Sequence, residues 1–240
     1  MRKKAILFVH GFMGTSRQFA PVIRKLRGKT GADLHDLVLP GHEADIESFV
    51  GKGPTSWQKA VDGALDRLRG EYDDLVLVGH SMGGLLLIRS AVQCSDKIRQ
   101  IVTISLPLYI KITFRGIQIR IGSMMKNPKN RNARAAKEMC GVFGVTPINS
   151  VRLIPNTLGL FRIMKRTREV LPCLTTPLTV INSKKDEIVS ARTLRCVKKK
   201  NPQAVLLTLR EASHFWFPED ENQKIVEKIQ GAVDGRCQET

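Results

Sequence analysis

The 240-residue chain predicts a doubly wound α/β fold: a mainly parallel sheet of about six strands, helices on both faces, and an inserted helical segment. Three observations predict it. Short apolar runs at residues 4–10, 33–39, 75–78, 99–106, 178–181 and 204–209 alternate with stretches of helical periodicity. The connections are long enough to hold helices, which demands parallel strands, and a parallel sheet must be covered on both faces. The alternation lapses once, over residues 107–170, and then resumes.

The first run ends in His10-Gly11-Phe12. Gly14-Thr15-Ser16 opens a helix whose apolar face is Phe19, Val22, Ile23 and Leu26, and Gly28 to Gly31 end it. The run 33–39 is a weaker strand, turned by Pro40-Gly41-His42. Thr55 or Ser56 caps the next helix, in which Trp57, Val61, Ala64, Leu65 and Leu68 recur at helical spacing. Residues 75–78 read as a fully buried strand and 85–91 as a buried helix. Between them stands Gly79-His80-Ser81-Met82-Gly83, a G-x-S-x-G pattern. The bare pattern is short enough to arise by chance. Strand, sharp turn and helix around it are the setting in which it means a nucleophile elbow. Gly79 and Gly83 remove Cβ atoms where chains pass closely, and Gly84 lets the helix settle on the strand.

Residues 107–170 hold 13 Lys and Arg against two Glu, so a net +11 of the chain's +17 lies in this segment. Apolar residues 110, 114, 117, 121 and 124 favour a helix, although 110, 112 and 114 also alternate as a strand would. Residues 130–139 suit a second helix. Val151, Ile154, Leu158 and Phe161 suit a third, which Pro155 would kink or interrupt. After Pro177 come a strand, the polar loop 182–187, a helix over 191–197, a strand, a loop with His214, and a closing helix over 220–233 with Ile225, Val226 and Ile229 inward.

Composition excludes several classes. Five scattered cysteines (94, 140, 173, 196, 237) form no C-x-x-C, which argues against a zinc site or a disulfide framework. The basic start is followed by five apolar residues, too few for a signal peptide, and no run reaches the length of a membrane span. The cytoplasm is therefore the expected compartment. Two Trp, two Tyr and no recognised module speak against nucleic-acid binding.

Acyl transfer by serine needs a nucleophile, a base, a group that orients the base, and donors for the oxyanion. In open parallel sheets these gather beyond the carboxyl ends of the strands. Ser81 follows one strand, Asp186 a later one and His214 the last, the chain order Ser…Asp…His. His214 would serve as base and Asp186 would hold its tautomer, with Glu187 adjacent as a substitute. The other histidines have competing explanations: His10 and His42 in early turns, His80 beside the serine, and His35 inside a strand. The backbone N–H groups of Met82, just after the serine, and Phe12, in the first turn, would hold the oxyanion. No metal or organic cofactor is called for.

The segments HGFMGTSRQF, LPGH, GHSMGG, SKKDEIV and SHF resemble those of α/β-hydrolases, specifically the small bacterial carboxylesterases and monoacylglycerol lipases. The resemblance spans nearly the whole chain. It implies an α/β-hydrolase core at 1–106 and 171–240, with 107–170 as a helical cap beginning near Leu108. It also implies a triad of Ser81, Asp186 and His214 acting on small-molecule acyl esters. The chain departs from the pattern after LPGH, where Glu43-Ala44 replaces a further glycine, and in the basicity of the cap. Met124, Met125, Leu158 and Phe161, with Ile121, are the candidates for acyl-chain contact, and methionine adapts to chains of varied length. The cap's cations are read either as a solvated face or as attraction to an anionic membrane or head group. A thioesterase using the same triad is the alternative reading. A non-catalytic hydrolase-fold binding protein is a rival from another class, and carbon–carbon bond hydrolysis is compatible with the same triad.

Overall fold

Continuous apolar runs produce the expected sheet. The computed structural model describes residues 2–111, 113–125, 127–146 and 148–235; the expectations for Ile112 and Cys237 lie outside these residues. In chain order the elements are β1 (Lys4–Val9), α1 (Ala20–Leu26), β2 (Ala32–Leu37), β3 (Ala44–Asp45), α2 (Ile46–Val50), α3 (Pro54–Glu71), β4 (Asp74–His80), α4 (Met82–Gln93) and β5 (Ile98–Ile104). There follow α5 (Phe114–Ser123), α6 (Arg131–Glu138), β6 (Val142–Phe143), α7 (Ile154–Val170), β7 (Leu178–Ser183), α8 (Arg192–Lys200), β8 (Val205–Leu209) and α9 (Glu219–Asp234). Six strands pair in the order β2–β1–β4–β5–β7–β8, every pair parallel.

Strand alternation sorts the core into two layers. Leu7, Val9, Leu75, Leu77 and Val180 face the side covered by α3, α4 and α8, with Trp57, Val61 and Val197. Ile6, Phe8, Val76, Val78 and Val102 face the side covered by α1 and α9, with Phe19, Val22 and Ile229. Both faces of β4 are therefore apolar, which is why 75–78 carries no polar alternation.

Several local expectations are corrected. The helix at 54–71 is capped by Gly53, with Pro54 at its first turn; Ser56 lies inside it and accepts from the Gly53 N–H at 3.0 Å. A short helix, α2, precedes it, capped by Asp45, which accepts from Ser48 N at 2.8 Å. Pro155 sits in the first turn of α7 and starts the helix, where its missing N–H has no intrahelical acceptor to lose. Val151 belongs to a preceding 3₁₀ turn, Asn149–Leu153. The ambiguity at 110–124 resolves both ways: Ile110 forms an antiparallel bridge with Val189, and the helix begins at Phe114.

Residues 107–170 lie over the carboxyl edge of the sheet, where α7 packs on α4 and α3. β6 pairs with β3 in a separate two-stranded sheet. Gly141 N donates to Met13 O at 2.8 Å and Ala44 N to Gly141 O at 3.3 Å. A side chain at 141 would strike the backbone of Gly14, so the approach requires glycine. The segment is thereby tied to the turn after β1.

Candidate active site

Four loops meet at the carboxyl edge, after β1, β4, β7 and β8. Ser81 sits between β4 and α4 with φ 51° and ψ −120°, a conformation that favours glycine. A Cβ on Gly79 would collide with Gly84, and one on Gly83 with the carbonyls of Val9 and His10. The glycines of the pattern are thus steric requirements of the turn. Met82 is the first residue of α4, so its N–H has no acceptor within the helix. The turn after β1 runs alongside: a Cβ on Gly11 would lie 3.0 Å from Ser81 Cβ. The Phe12 ring lies edge-on to Phe49 and Trp57 at 5.4 and 6.0 Å.

His214 Nδ1 lies 2.9 Å from Asp186 Oδ2 and its Nε2 lies 3.2 Å from Ser81 Oγ. All three residues are buried. Asp186 Oδ1 accepts from Ile188 N at 2.8 Å and Val189 N at 2.7 Å. Burial pushes this carboxyl up, but His214 and these N–H donors outweigh it and hold the pKa at about 2. An ionised carboxylate only accepts, so Nδ1 carries the proton and Nε2 is free to accept from Ser81 O–H. Burial lowers the His214 pKa, while the charge and hydrogen bond of Asp186, with Glu187, raise it; the balance lies above the ordinary imidazole value.

The other buried histidines are neutral and structural. His80 Nε2 donates to His214 O at 3.0 Å, since a carbonyl only accepts. Burial, with His214 nearby, drives its pKa to about 3. His10 Nε2 accepts from Leu39 N at 3.0 Å, which fixes its proton on Nδ1. His42 packs between His10 and Phe49, and burial brings its pKa to about 3.

Three glutamates carry positioning contacts that the residue pattern did not reveal. Glu221, buried in the first turn of α9, accepts from Arg210 N, Glu211 N and Ala212 N at 2.6, 3.0 and 2.7 Å. It holds the loop that delivers His214. Glu43, in place of the family glycine, adopts φ 57° and accepts from Thr15 Oγ1 at 2.5 Å and Ser16 N at 3.1 Å. It holds the turn after β1. Glu187 does not replace Asp186; its Oε2 accepts from His214 N at 3.2 Å, and its Oε1 has no partner among the described residues. Burial raises the Glu187 pKa. An acid-rich helix start after the last strand was the one signal for Glu221.

A cavity of about 370 Å³ opens over Ser81 and His214. Its other walls include Met139, Leu153, Thr157, Leu160, Ile188 and Phe215. The expected acyl contacts lie elsewhere: Met125, Leu158 and Phe161 are exposed, and Met124 lines a separate hollow with Val142. The physical reason is helical phase. α7 and the turn that leads into it are apolar on two sides, and the set 151, 154, 158, 161 marks the outer side, whereas 153, 157 and 160 face the cavity. Ile121, also expected there, is exposed on α5.

Comparison with known proteins places the chain in a family. Over 109 residues the chain is 30% identical to the uncharacterized hydrolase YugF of Bacillus subtilis, covering 45% of this chain and 39% of that protein. Over 105 residues it is 29% identical to the chloroplastic protein PHYLLO of Arabidopsis thaliana, covering 41% of this chain and 6% of that one. The matches thus span well under half the length of these curated relatives. Among solved structures, a metagenome-derived lipolytic enzyme of the LipS and LipT study superposes with a TM-score of 0.76 at 19% identity, covering 98% of this chain and 95% of that one. The monoacylglycerol lipase of Paleococcus ferrophilus gives 0.68 at 19%, covering 98% and 97%. The thioesterase domain from the curacin biosynthetic pathway gives 0.62 at 17%, covering 95% and 91%. Likeness at such identities speaks for the fold alone. A sequence model described as the alpha/beta hydrolase family matches residues 6–228, which takes in the elbow and all four loops, and the chain belongs to that family.

Proposed function

We propose that the protein is a serine hydrolase that cleaves carboxylic esters with an acyl chain, in the manner of a carboxylesterase or monoacylglycerol lipase. The observation that carries this reading is His214, bridging Asp186 and Ser81 at 2.9 and 3.2 Å beneath a largely apolar cavity. Ser81 Oγ attacks the ester carbonyl while His214 Nε2 takes its proton. The developing oxyanion is held by the N–H groups of Phe12 and Met82, the second at the positive end of α4. Imidazolium then protonates the departing alcohol. Water, activated by the same imidazole, hydrolyses the acyl-Ser81 ester. Residues 107–170 serve as a cap whose inner side, Leu153, Thr157 and Leu160, takes the acyl chain. No step calls for a cofactor.

Purified protein should be labelled by a fluorophosphonate and should hydrolyse a chain-length series of chromogenic esters and monoacylglycerols. Ser81→Ala should lose both. Unchanged turnover in Ser81→Ala would refute the mechanism. Acyl thioesters belong in the same series, because the same groups would cleave them; faster thioester turnover would reassign the leaving group and keep the nucleophile.

A further inference from the structure

The helices of segment 107–170 have a second apolar side that is left largely exposed. Among the described residues, ten of the eleven large apolar side chains left exposed lie in this segment. On α5 they are Phe114, Ile117 and Ile121, one helical stripe continued by Met125, with Phe114 77% and Ile121 61% exposed. On α7 and its leading turn they are Val151, Ile154, Leu158 and Phe161, with Val151 60% exposed; Ile148, 89% exposed, and Phe143 on β6 complete the ten. Scattered single apolar residues need no explanation, but two stripes confined to one segment do.

The charge around the stripes says what covers them. Arg115, Lys129, Arg134, Arg162, Lys165 and Arg166 are exposed, and none forms an ion pair among the described residues. The segment's acids are Glu138 and Glu169 alone. A second copy of the chain is a poor occupant. A symmetric dimer through this face would bring two +11 segments together, and the chain as a whole carries +17. An anionic lipid surface satisfies both halves, taking apolar side chains to the acyl boundary and pairing Lys and Arg with phosphate. No helix among the described residues is long and apolar enough to cross a membrane, so the contact is with the interface.

We propose that the outer face of residues 107–170 is a docking surface for an anionic bilayer. Docking sets α5 and α7 against the headgroups, while Gly116, Leu153 and Leu160 on the same two elements and their leading turn line the cavity. The inference stands apart from the esterase reading, because it concerns the opposite side of those helices.

Flotation with vesicles tests it. The full chain should bind phosphatidylcholine vesicles containing phosphatidylglycerol and not phosphatidylcholine alone, and binding should fade as salt is raised. Phe114→Ser with Ile121→Ser, and separately Val151→Ser with Ile154→Ser, should each weaken partition at least tenfold, two buried apolar side chains being removed. Arg162→Glu with Lys165→Glu should do the same. Val38→Ser, exposed but outside the segment, should change nothing. All variants should keep the parent far-UV spectrum and the parent turnover of a water-soluble ester, so failure of docking and failure of the esterase reading are told apart. Absence of binding, equal binding to uncharged vesicles, or binding indifferent to these substitutions would overturn the proposal. So would a salt-insensitive dimer dissolved by the same substitutions, which would assign the face to a second copy.

Discussion

At the scale of residues, the proposed triad of Ser81, Asp186 and His214 rests on a division of charge. Asp186 is held ionised at about 2 and His214 is held above its ordinary 6.5. A general base must be unprotonated, so the acidic limb of kcat/KM should lie above pH 6.5. Asp186→Asn removes the anion that raises His214 and presents an amide that no longer enforces the tautomer. Turnover should fall by about 10⁴ and the acidic limb should move to lower pH, as a pH–rate profile would report. An unmoved limb would mean that Asp186 does not set the base. Glu221 makes a different kind of prediction. Glu221→Ala strands three backbone N–H groups, one of them buried, at about 1–3 kcal/mol for each buried unsatisfied donor. The melting temperature should drop by about 5–10 °C, and activity should fall with it because the His214 loop loosens. If Glu221→Ala melts like the parent, the contact is dispensable.

At the scale of elements, helical phase decides which residues face the cavity over Ser81. Leu160→Trp should fill part of the 370 Å³ cavity and shift the preferred ester to shorter chains. Leu158→Ser, two residues away on the outer side, should leave the chain-length profile unchanged. Equal effects from both would mean that α7 is rotated. The pair also shows where the sequence was legible. Strands buried on both faces advertise themselves as apolar runs, so β1, β4 and the buried stretches of β5 and β7 were readable, and with β8 after them so was the order of Ser81, Asp186 and His214 along the edge. α7 is apolar on two sides, so period alone names the helix and leaves its orientation open. α2 is five residues long, too short for a periodic signal. Glu43 and Glu221 act on backbone N–H groups of distant loops, contacts that exist only once the sheet has brought those loops together.

At the scale of the whole molecule, stability should depend on pH through buried imidazoles. His80 and His42 are lowered to about 3, and His10 is lowered as well, all mainly by burial. A histidine depressed in the folded state stabilises above its unfolded pKa, near 6.5, and that contribution is lost as pH falls towards the folded value. Asp186 adds a loss below its unfolded value of 3.8. His214, raised, acts in the opposite sense: its contribution is present below 6.5 and fades as pH rises through its folded value. Below pH 6.5 the His214 contribution is already complete and only the depressed imidazoles change, so the melting temperature at constant ionic strength should decline steadily from pH 6.5 towards 4, and His42→Asn should flatten the decline. A level profile would mean that the imidazoles are already charged in the native state. The backbone at Ser81 has its own consequence for this balance. Its φ of 51° and ψ of −120° suit glycine, and holding a side chain there costs about 1–3 kcal/mol. Ser81→Gly should therefore melt no lower than the parent even after glycine's extra chain entropy of about 0.5–1 kcal/mol. The fold carries at its centre a residue that works against its own folding, and the dead protein should be at least as durable as the working one.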